Sequence, residues 1–274
     1  MMKRIVLLLA AIIMAVILML QNYPFWQSLV AVIPFFTVLW VISLVLKNTA
    51  IVDIFWGFSF MAMAWFYRAY MGLHDHRSMV FCIMVTVWGV RLTLYLASRN
   101  IGKDEDYRYK EWRKEKGSKW PLVSFFQVFM LQGFLLWVMS TLFAPAMSSN
   151  FTSLKLTDYL GLAVWSVGFL FESIGDWQLA TFKKKPENKG KVLQTGLWGL
   201  TRHPNYFGDA LQWWGYYLFT CTTGQFLYVF SPLLMTFLLV RVSGVALLEK
   251  RLAVTKPEYA RYMKRVSSFI PGVF

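Results

Sequence analysis

Eight runs of mostly apolar residues, most of them close to twenty residues long, limit the folds open to this chain. They are Ile5–Leu20, Trp26–Leu46, Ile51–Met71, Met79–Ala97, Leu122–Ala144, Thr157–Thr181, Tyr206–Cys221 and Phe226–Leu247. An α-helix needs about 20 such residues to cross a bilayer. Only 15% of the residues are charged, against roughly 25% in soluble domains. The sequence therefore predicts an all-α fold, a polytopic integral membrane helical bundle of seven or eight transmembrane helices.

The first run, Ile5–Leu20, follows Lys3 and Arg4 and is similar to the core of a signal peptide. No pattern of small residues typical of a cleavage site follows it, since the next residues are Gln21-Asn-Tyr-Pro. We therefore expect this run to be kept as a first span.

The distribution of basic residues predicts the orientation of the chain. With the N-terminus inside, the inner segments carry 23 Lys and Arg, and the outer side carries three, Arg68 at a span end and Arg77 and Lys155 in loops. Positive residues favour the cytoplasmic side, so we expect both termini there and membrane lipids as partners of the basic loops. The net charge of +14 then needs no nucleic acid to explain it. With no retention or transit signal, we expect a bacterial inner membrane.

Two cysteines, Cys82 and Cys221, lie in apolar segments without a metal-ligand partner at a recognisable spacing. The sequence thus predicts neither a disulfide framework nor a metal site. No internal repeat and no low-complexity linker divides the chain.

Ionisable residues inside predicted spans are candidates for function, because charge is costly in a bilayer. The candidates chosen here are Asp53, Arg91, Glu172, Asp176, Asp209 and Arg241. The spacing of Glu172 and Asp176 places both on one helix face, and Arg241 and Glu249 are predicted to share another. The alternative is structural pairing, for instance of Arg91 with Asp53. Because the set gathers near the cytoplasmic side, it indicates a cavity for a large soluble ligand with phosphates and amides.

Two polar loops adjoin this predicted cavity. The loop Arg99–Pro121 is a solvated surface helix or a lid, with Asp106, Arg108 and Tyr109 as its polar contacts. The other loop carries Lys183, four more lysines and several glycines, which suits either membrane topology or a phosphate. Neither loop has a Walker-A or GxGxxG pattern, which excludes a soluble-type nucleotide fold.

The stretch GLWGLTRHPNYFGDALQWWG, residues 196–215, concentrates polar groups at the mouth of a predicted helix. His203 lies between Arg202 and Pro204, where we expect it to shape the turn or to contact a phosphate. Asn205, Tyr206 and Asp209 follow within six residues of His203.

Ordered motifs along the chain carry a resemblance to a known family. They are DxxWG from Asp53, WGVRL from Trp88, EDYRY from Glu105, ExxxDxQLxxFK from Glu172, GLWxxTRHPNYFGD from Gly196, SPLLMxFLLxxVSG from Ser231 and PEYxxYxxRxSxFIP from Pro257. This pattern closely resembles the domain-of-unknown-function 1295 family, in the superfamily of membrane steroid 5-alpha-reductases and sterol C14 reductases. It covers residues 49–274, which we take as the reductase domain, with residues 1–48 as N-terminal spans outside it.

The resemblance implies an integral membrane reductase that uses NADPH from the cytoplasm to reduce a conjugated C=C bond of a lipophilic substrate. Together with the buried charges and the polar loops, it gives the following candidate cofactor-binding residues: Arg91, Arg99, Tyr109, Glu172, Asp176, Lys183, Arg202, His203, Asn205, Tyr206, Asp209 and Arg241. Asp53 lies near where steroid reductases place a carboxyl that bonds the substrate ketone. We expect Asp53, and secondly Tyr206, to stabilise the oxyanion as catalytic residues.

Two departures from the steroid reductases put the steroid substrate in doubt. Trp88 stands where they have a tyrosine, and Val245 with Ala246 stands where they have polar residues. RHPxY with a late glutamate also resembles membrane isoprenylcysteine and phospholipid methyltransferases, which bind S-adenosylmethionine and are the main alternative. A non-enzymatic transport protein is a third reading, which predicts polar groups spread through the bilayer.

Overall fold

The computed structural model describes residues 14, 17, 23–149, 151, 153–242 and 244–273. These residues form helices and no β-strand, apart from an isolated bridge between Thr201 and Ser267. The all-α prediction is thus confirmed for this part of the chain. Ile5–Leu20, the predicted first span, falls outside the described residues except at Met14 and Ile17.

Each later predicted span falls on helical structure, as a single helix in most cases and as several consecutive helical segments for Leu122–Ala144 and Phe226–Leu247. The α-helices are α1 Phe25–Val45, α2 Ile51–Tyr70, α3 His76–Asn100, α4 Tyr107–Lys116, α5 Trp120–Ser124, α6 Leu131–Ser140, α7 Phe143–Met147, α8 Leu156–Lys184, α9 Pro204–Cys221, α10 Phe230–Phe237, α11 Val245–Thr255 and α12 Pro257–Met263. Short π-helical segments, Phe125–Met130 and Leu238–Val242, join α5 to α6 and extend α10.

Among the described helices, α1, α3 and the continuous helical stretch Tyr107–Met147 are long and apolar enough to cross a membrane. A membrane protein is therefore supported by three helices. The count of seven or eight spans and the cytoplasmic location of both termini stay predictions.

The last predicted span is wrong at its C-terminal end. Its helix ends at Val242, and α11 begins at Val245 as a separate helix. A Cβ at Gly244 would lie 2.1 Å from the carbonyl oxygen of Leu239, so the chain can make this break only with glycine. Arg241 and Glu249 consequently belong to different helices, and their predicted common face does not exist.

The chain divides into two compact units. Unit 1 comprises Met1–His74 and Cys82–Pro145, and unit 2 comprises Asp75–Phe81 and Ala146–Phe274. In unit 1, α2 and α3 meet at two glycines, where a Cβ on Gly57 would lie 2.5 Å from the Gly89 oxygen. Small residues allow such backbone contact between membrane helices.

Unit 2 contains a buried ion pair that the sequence interpretation missed. Arg77, counted above as an outer-loop charge, is fully buried and binds Asp158, the equally buried first-turn residue of α8. The guanidinium donates twice to the carboxylate, each at 2.9 Å, and to the carbonyl oxygens of Ala146 and Phe219, each at 2.6 Å. Thr222 Oγ1 also donates to Asp158 at 2.7 Å. This network ties the beginning of α8 to the end of α9.

Candidate functional site

Helices α8 and α9 approach backbone to backbone along a line of glycines in unit 2. A Cβ at Gly168 would lie 2.6 Å from the Gly208 oxygen, and one at Gly161 would lie 2.8 Å from the Gly215 oxygen. Higher numbers on α8 meet lower numbers on α9, so the two helices run antiparallel. Because no side chain separates the backbones, polar groups beside the glycines are brought within hydrogen-bonding distance.

Two carboxylates of α8 and two amides of α9 pair across this contact. Gln212 Nε2 donates to Glu172 Oε2 at 2.7 Å, and Asn205 Nδ2 donates to Asp176 Oδ1 at 3.0 Å. Glu172 and Asp176 are only 3% and 4% exposed, and Asp209, also buried, lies one turn after Asn205. We call these five residues the acid–amide ladder. The prediction that Glu172 and Asp176 share a face is confirmed, since both face α9.

Each ladder amide leaves an acceptor open. Asn205 Oδ1 and Gln212 Oε1 are buried atoms with no hydrogen-bond partner among the described residues. The amide orientation follows from the partners, because a carboxylate accepts and so requires the NH₂ end. A buried acceptor without a donor costs about 1–3 kcal/mol, so the ladder is suited to a ligand that donates hydrogen bonds.

The N-terminal end of α9 is held by the C-terminal segment of the chain. Arg202 Nε donates to Glu249 Oε1 at 2.7 Å, and its Nη1 donates to the carbonyl oxygens of Met263, at 2.9 Å, and Val266. The Arg202 amide donates to the Ser267 oxygen at 2.9 Å. The guanidinium therefore fixes the turn that precedes the ladder, and a contact between Arg202 and a nucleotide stays a prediction.

His203 and Tyr206 lie together at the beginning of α9. Their rings stack with centroids 5.7 Å apart and planes 10° from parallel. His203 Nε2 lies 3.2 Å from Glu249 Oε1, which also accepts from Arg202. Glu249 thus contacts both Arg202 and His203. The break at Gly244 brings that glycine close to the Tyr206 ring.

The surroundings of this turn lower the pKa values of both Glu249 and His203. Burial would raise the pKa of Glu249, but hydrogen bonds from His203 and Arg202 outweigh burial and lower it below its ordinary value. Burial lowers the pKa of His203 and outweighs the opposing effect of Glu249. His203 is therefore neutral near pH 7 beside an ionised Glu249, which fits a role in shaping the turn better than a role as a phosphate cation.

Basic side chains of unit 2 are exposed at the end of α8. Lys183, Lys184 and Lys185 are solvent-accessible in its last turn and beyond, while Arg241 is exposed on the π-helical segment. Exposure leaves the three lysines accessible to an anionic ligand group near the Asp176 end of the ladder.

A second polar cluster lies in unit 1 around Asp53. Tyr109 OH donates to Asp53 Oδ1 at 3.1 Å, and Gln132 Nε2 lies 3.4 Å from both of those oxygens. Arg108 Nη2 is 3.6 Å from Asp53 Oδ2. Asp53 thus receives donors on one oxygen and faces a cation on the other. Tyr109 is the direct partner of the predicted catalytic carboxyl, and its predicted contact with the cofactor stays a prediction.

The segment before α4 is fixed by two further carboxylates. Glu105 accepts from Arg113 at 2.8 Å and from the Thr49 amide at 2.7 Å. Burial would raise the pKa of Glu105, but these hydrogen bonds outweigh it and lower the pKa. Asp106 caps α4 by accepting from the Arg108 amide at 3.0 Å. The loop of residues 101–106 and α4 therefore form an ordered support for Tyr109, and the two alternatives for this loop, a solvated surface helix or a lid, stay predictions.

The remaining predicted residues of unit 1 lie on α3. Arg91 is half-buried with its guanidinium 5.5 Å from the Tyr95 ring, and Arg99 is exposed in the last turn. Burial would raise the pKa of Asp106, but hydrogen bonds from Arg108 outweigh burial and lower it. The charge of Arg99 also lowers this pKa.

Sequence reasoning missed two glutamines, the buried Gln212 and the half-buried Gln132. A signal was present, because a glutamine inside an apolar span needs hydrogen-bond partners there as a charged residue does.

Comparison with known proteins identifies the family. The family model described as a protein of unknown function, DUF1295, matches residues 39–266. The chain belongs to the DUF1295 family. All residues of the ladder, the Glu249 contacts and the Asp53 cluster fall inside the matched region of this DUF1295 chain.

Individual relatives are more distant. An uncharacterised protein of Schizosaccharomyces pombe is 26% identical over 85% of this chain and 76% of its own length. The steroid 5-alpha-reductase DET2 of Gossypium hirsutum is 31% identical over 40% of this chain and 41% of its own. The probable O-methyltransferase ustE of Ustilaginoidea virens is 44% identical over 17% of this chain and 16% of its own. No solved structure matches the chain.

These matches support membership of the steroid-reductase-like superfamily and a membrane enzyme of the reductase type. They come from fungi and a plant. The expected bacterial inner membrane therefore gains no support from them.

Proposed function

We propose that this DUF1295 protein is an NADPH-dependent membrane reductase that transfers a hydride to a conjugated C=C bond of a lipophilic substrate. The observation that carries the proposal is the acid–amide ladder, which lies inside the family match and presents two open amide acceptors. Similarity to a steroid 5-alpha-reductase over 113 residues supports the reductase class. A steroid or another lipid with an electron-poor double bond is the substrate class.

The residues of unit 2 fit a dinucleotide in both chemistry and charge. Asn205 and Gln212 offer buried acceptors to carboxamide or hydroxyl donors, and Asp209 and Asp176 offer carboxylate oxygens. The exposed Lys183 and its neighbours suit phosphates, as does Arg241. Of the predicted cofactor contacts, Arg202 and His203 support the turn in this proposal, and Tyr206 completes it through the His203 stack.

When bound, NADPH supplies the hydride for the β-carbon of the substrate. Negative charge then develops on the substrate carbonyl oxygen, and a hydrogen-bond donor aimed at that oxygen lowers the barrier. Without substrate, the Tyr109 hydroxyl donates its one proton to Asp53 Oδ1 at 3.1 Å; in this proposal the substrate oxygen replaces Asp53 as the acceptor of that proton. Asp53 therefore acts in this proposal chiefly by orienting Tyr109, and Tyr206 remains the second candidate donor.

Thermal shift of the purified protein in detergent tests the cofactor. We expect NADPH and NADP+ to raise the melting temperature and S-adenosylmethionine to leave it unchanged. Lys183→Ala should weaken nucleotide binding several-fold, and Lys155→Ala serves as the matched control because it removes the same charge from the predicted opposite side. Stabilisation by neither nicotinamide form contradicts the proposal.

The second candidate is an S-adenosylmethionine-dependent membrane methyltransferase, which the short match to the O-methyltransferase ustE favours. The two candidates share the RHPxY turn and its late glutamate, here Arg202, His203 and Glu249. They differ in the ladder, whose amide acceptors suit a carboxamide. A thermal response to S-adenosylmethionine alone would establish the alternative.

Membrane lipids and a lipophilic small molecule are the partners of this enzyme in the proposal, with no nucleic acid. The lysines at the end of α8 lie on the side that the charge distribution predicts to be cytoplasmic. Labelling of a cysteine introduced at Lys184, in a variant that lacks Cys82 and Cys221 and in cells with an intact membrane, tests this orientation. Reaction with a membrane-impermeant reagent from outside contradicts it.

A further inference from the structure

We infer that Gln212 is a binding residue at the inner end of the ladder. Its side-chain oxygen accepts a hydrogen bond from an uncharged donor, the carboxamide NH₂ of the nicotinamide. This inference rests on the proposed function and names the group that the site recognises. Gln212 is completely buried in the middle of α9.

The orientation of the Gln212 side chain is set by its neighbours. Nε2 donates to Glu172 Oε2 at 2.7 Å and lies 3.4 Å from the Gly208 oxygen, so both nearby groups are acceptors. The amide cannot turn around without directing its oxygen at a carboxylate. Oε1 must therefore face away from Glu172, and it has no partner among the residues that the structure describes.

The same arrangement recurs two turns earlier on α9. Asn205 Nδ2 donates to Asp176, and Asn205 Oδ1 is buried without a described partner. Two amides, each turned by a carboxylate of α8, thus present carbonyl oxygens about 10 Å apart along α9, at 1.5 Å per residue. A single buried amide oxygen without a partner could be a packing defect, but two in the same arrangement are unexpected on that basis. A ligand with several hydrogen-bond donors requires such a pair of acceptors.

The polarity of unit 2 changes steadily along the ladder. Because α8 and α9 are antiparallel, the exposed lysines at the end of α8 lie beyond the Asp176–Asn205 pair, and the Glu172–Gln212 pair lies further inside. Lys183 and Glu172 are separated by about 16 Å of helix. A ligand that places phosphates at Lys183 and extends along α8 therefore reaches Gln212 with its uncharged end, which for NADPH is the nicotinamide.

Paired nucleotides test this assignment. NADP+ carries the carboxamide, whereas its 3-acetylpyridine analogue has a methyl ketone there and lacks the NH₂ donor. We expect the wild-type protein in detergent to bind NADP+ about tenfold more tightly than the analogue, the value of one good buried hydrogen bond. Gln212→Met, which keeps the volume but removes the acceptor, should bring the affinity ratio close to one.

A second variant tests the orientation of the Gln212 amide without changing the size of any side chain. Glu172→Gln keeps the size of the side chain but no longer dictates which end of Gln212 faces Glu172, so the ratio should fall even though Gln212 is present. Gln225→Met, beyond the end of α9, is the matched control and should retain the wild-type ratio. Melting temperatures without ligand identify any variant whose fold is impaired, and Glu172→Gln then carries the test.

The outcomes distinguish the two proposals. Wild-type protein that binds neither nucleotide overturns the proposed function and this assignment with it. Wild-type protein that binds both nucleotides equally, or variants that keep the wild-type ratio, overturn the role of Gln212 alone and leave the reductase proposal intact. If an ordered water molecule donates to Gln212 Oε1 instead, the variants are expected to keep the wild-type ratio of the two nucleotide affinities.

Discussion

Replacement of Asp158 by asparagine should be among the most destabilising single changes in unit 2. The variant keeps the size of the side chain but leaves the Arg77 guanidinium, which is 0% exposed, without its counter-charge. Removal of one member of a buried ion pair costs about 3–5 kcal/mol, because the remaining charge stays desolvated. The upper part of that range is expected here, since Asp158 also accepts from Thr222 and from the Lys155 amide.

A double-variant cycle measures the coupling directly. Unfolding by SDS titration from mixed micelles, followed by tryptophan fluorescence, should give a large loss for Asp158→Asn and for Arg77→Met. Arg77→Met with Asp158→Leu should lose less than the sum of the singles by about 2 kcal/mol or more, because neither charge is then left buried. Lys110→Met, in a pair with Asp104 whose side chains are 67% and 93% exposed, is the control and should change stability by less than about 0.5 kcal/mol.

Two results refute this reasoning. A loss below about 1 kcal/mol for Asp158→Asn would mean that the pair is hydrated and contributes no more than a surface salt bridge. Additive single and double variants would mean that Arg77 and Asp158 act through separate contacts, and the coupling inferred from their 2.9 Å hydrogen bonds would be wrong.

Three further predictions concern the ladder and the turn before it. Gly208→Ala should destabilise the protein by about 1–3 kcal/mol in the same titration, since its Cβ would lie 2.4 Å from the Glu172 amide nitrogen; an unchanged midpoint contradicts the close approach. Asp209→Ala should weaken NADP+ binding several-fold in a fluorescence titration without lowering the melting temperature, and normal binding would remove Asp209 from the site. Melting temperature should fall as the pH decreases, first below about 6.5, where His203 takes up a proton on unfolding, and again below about 4.5, where Glu249 takes up a proton on unfolding. His203→Gln should abolish the first decrease, and a profile that rises toward acid would refute both shifts.

Helix positions could be predicted from the sequence because the bilayer imposes a length and an apolar composition that a simple count detects. Predicted spans such as Trp26–Leu46 and Thr157–Thr181 agree with α1 and α8 to within a few residues at most ends. The end of the last helix could not be predicted, because Gly244 inside an apolar run does not reveal that its backbone approaches Leu239 too closely for a side chain.

The candidate site was predictable in its members and much less in its contacts. The pairing of Asp176 with Asn205, and the attachment of Arg202 to Glu249, depend on antiparallel packing and on a C-terminal segment far away in sequence. Arg77 shows the same limit, since a lone arginine near a predicted loop gives no sign that Asp158, 81 residues later, covers it. Charge type was visible in the sequence, whereas burial and partner required the fold.

The glycine line between α8 and α9 does not by itself define how the two helices are aligned. Sliding one helix by a heptad would bring Gly168 opposite Gly215 and Gly175 opposite Gly208, so close backbone contact would be possible in both alignments. The polar residues distinguish them, because the slide would remove Gln212 from Glu172 and turn that carboxylate toward Phe219.

The acid–amide ladder therefore also favours one of two otherwise similar alignments of α8 and α9, as single polar residues do in coiled coils. A variant that makes Glu172 and Gln212 both apolar could retain the helix pair and still lose the site, through a shift along the glycines rather than through unfolding.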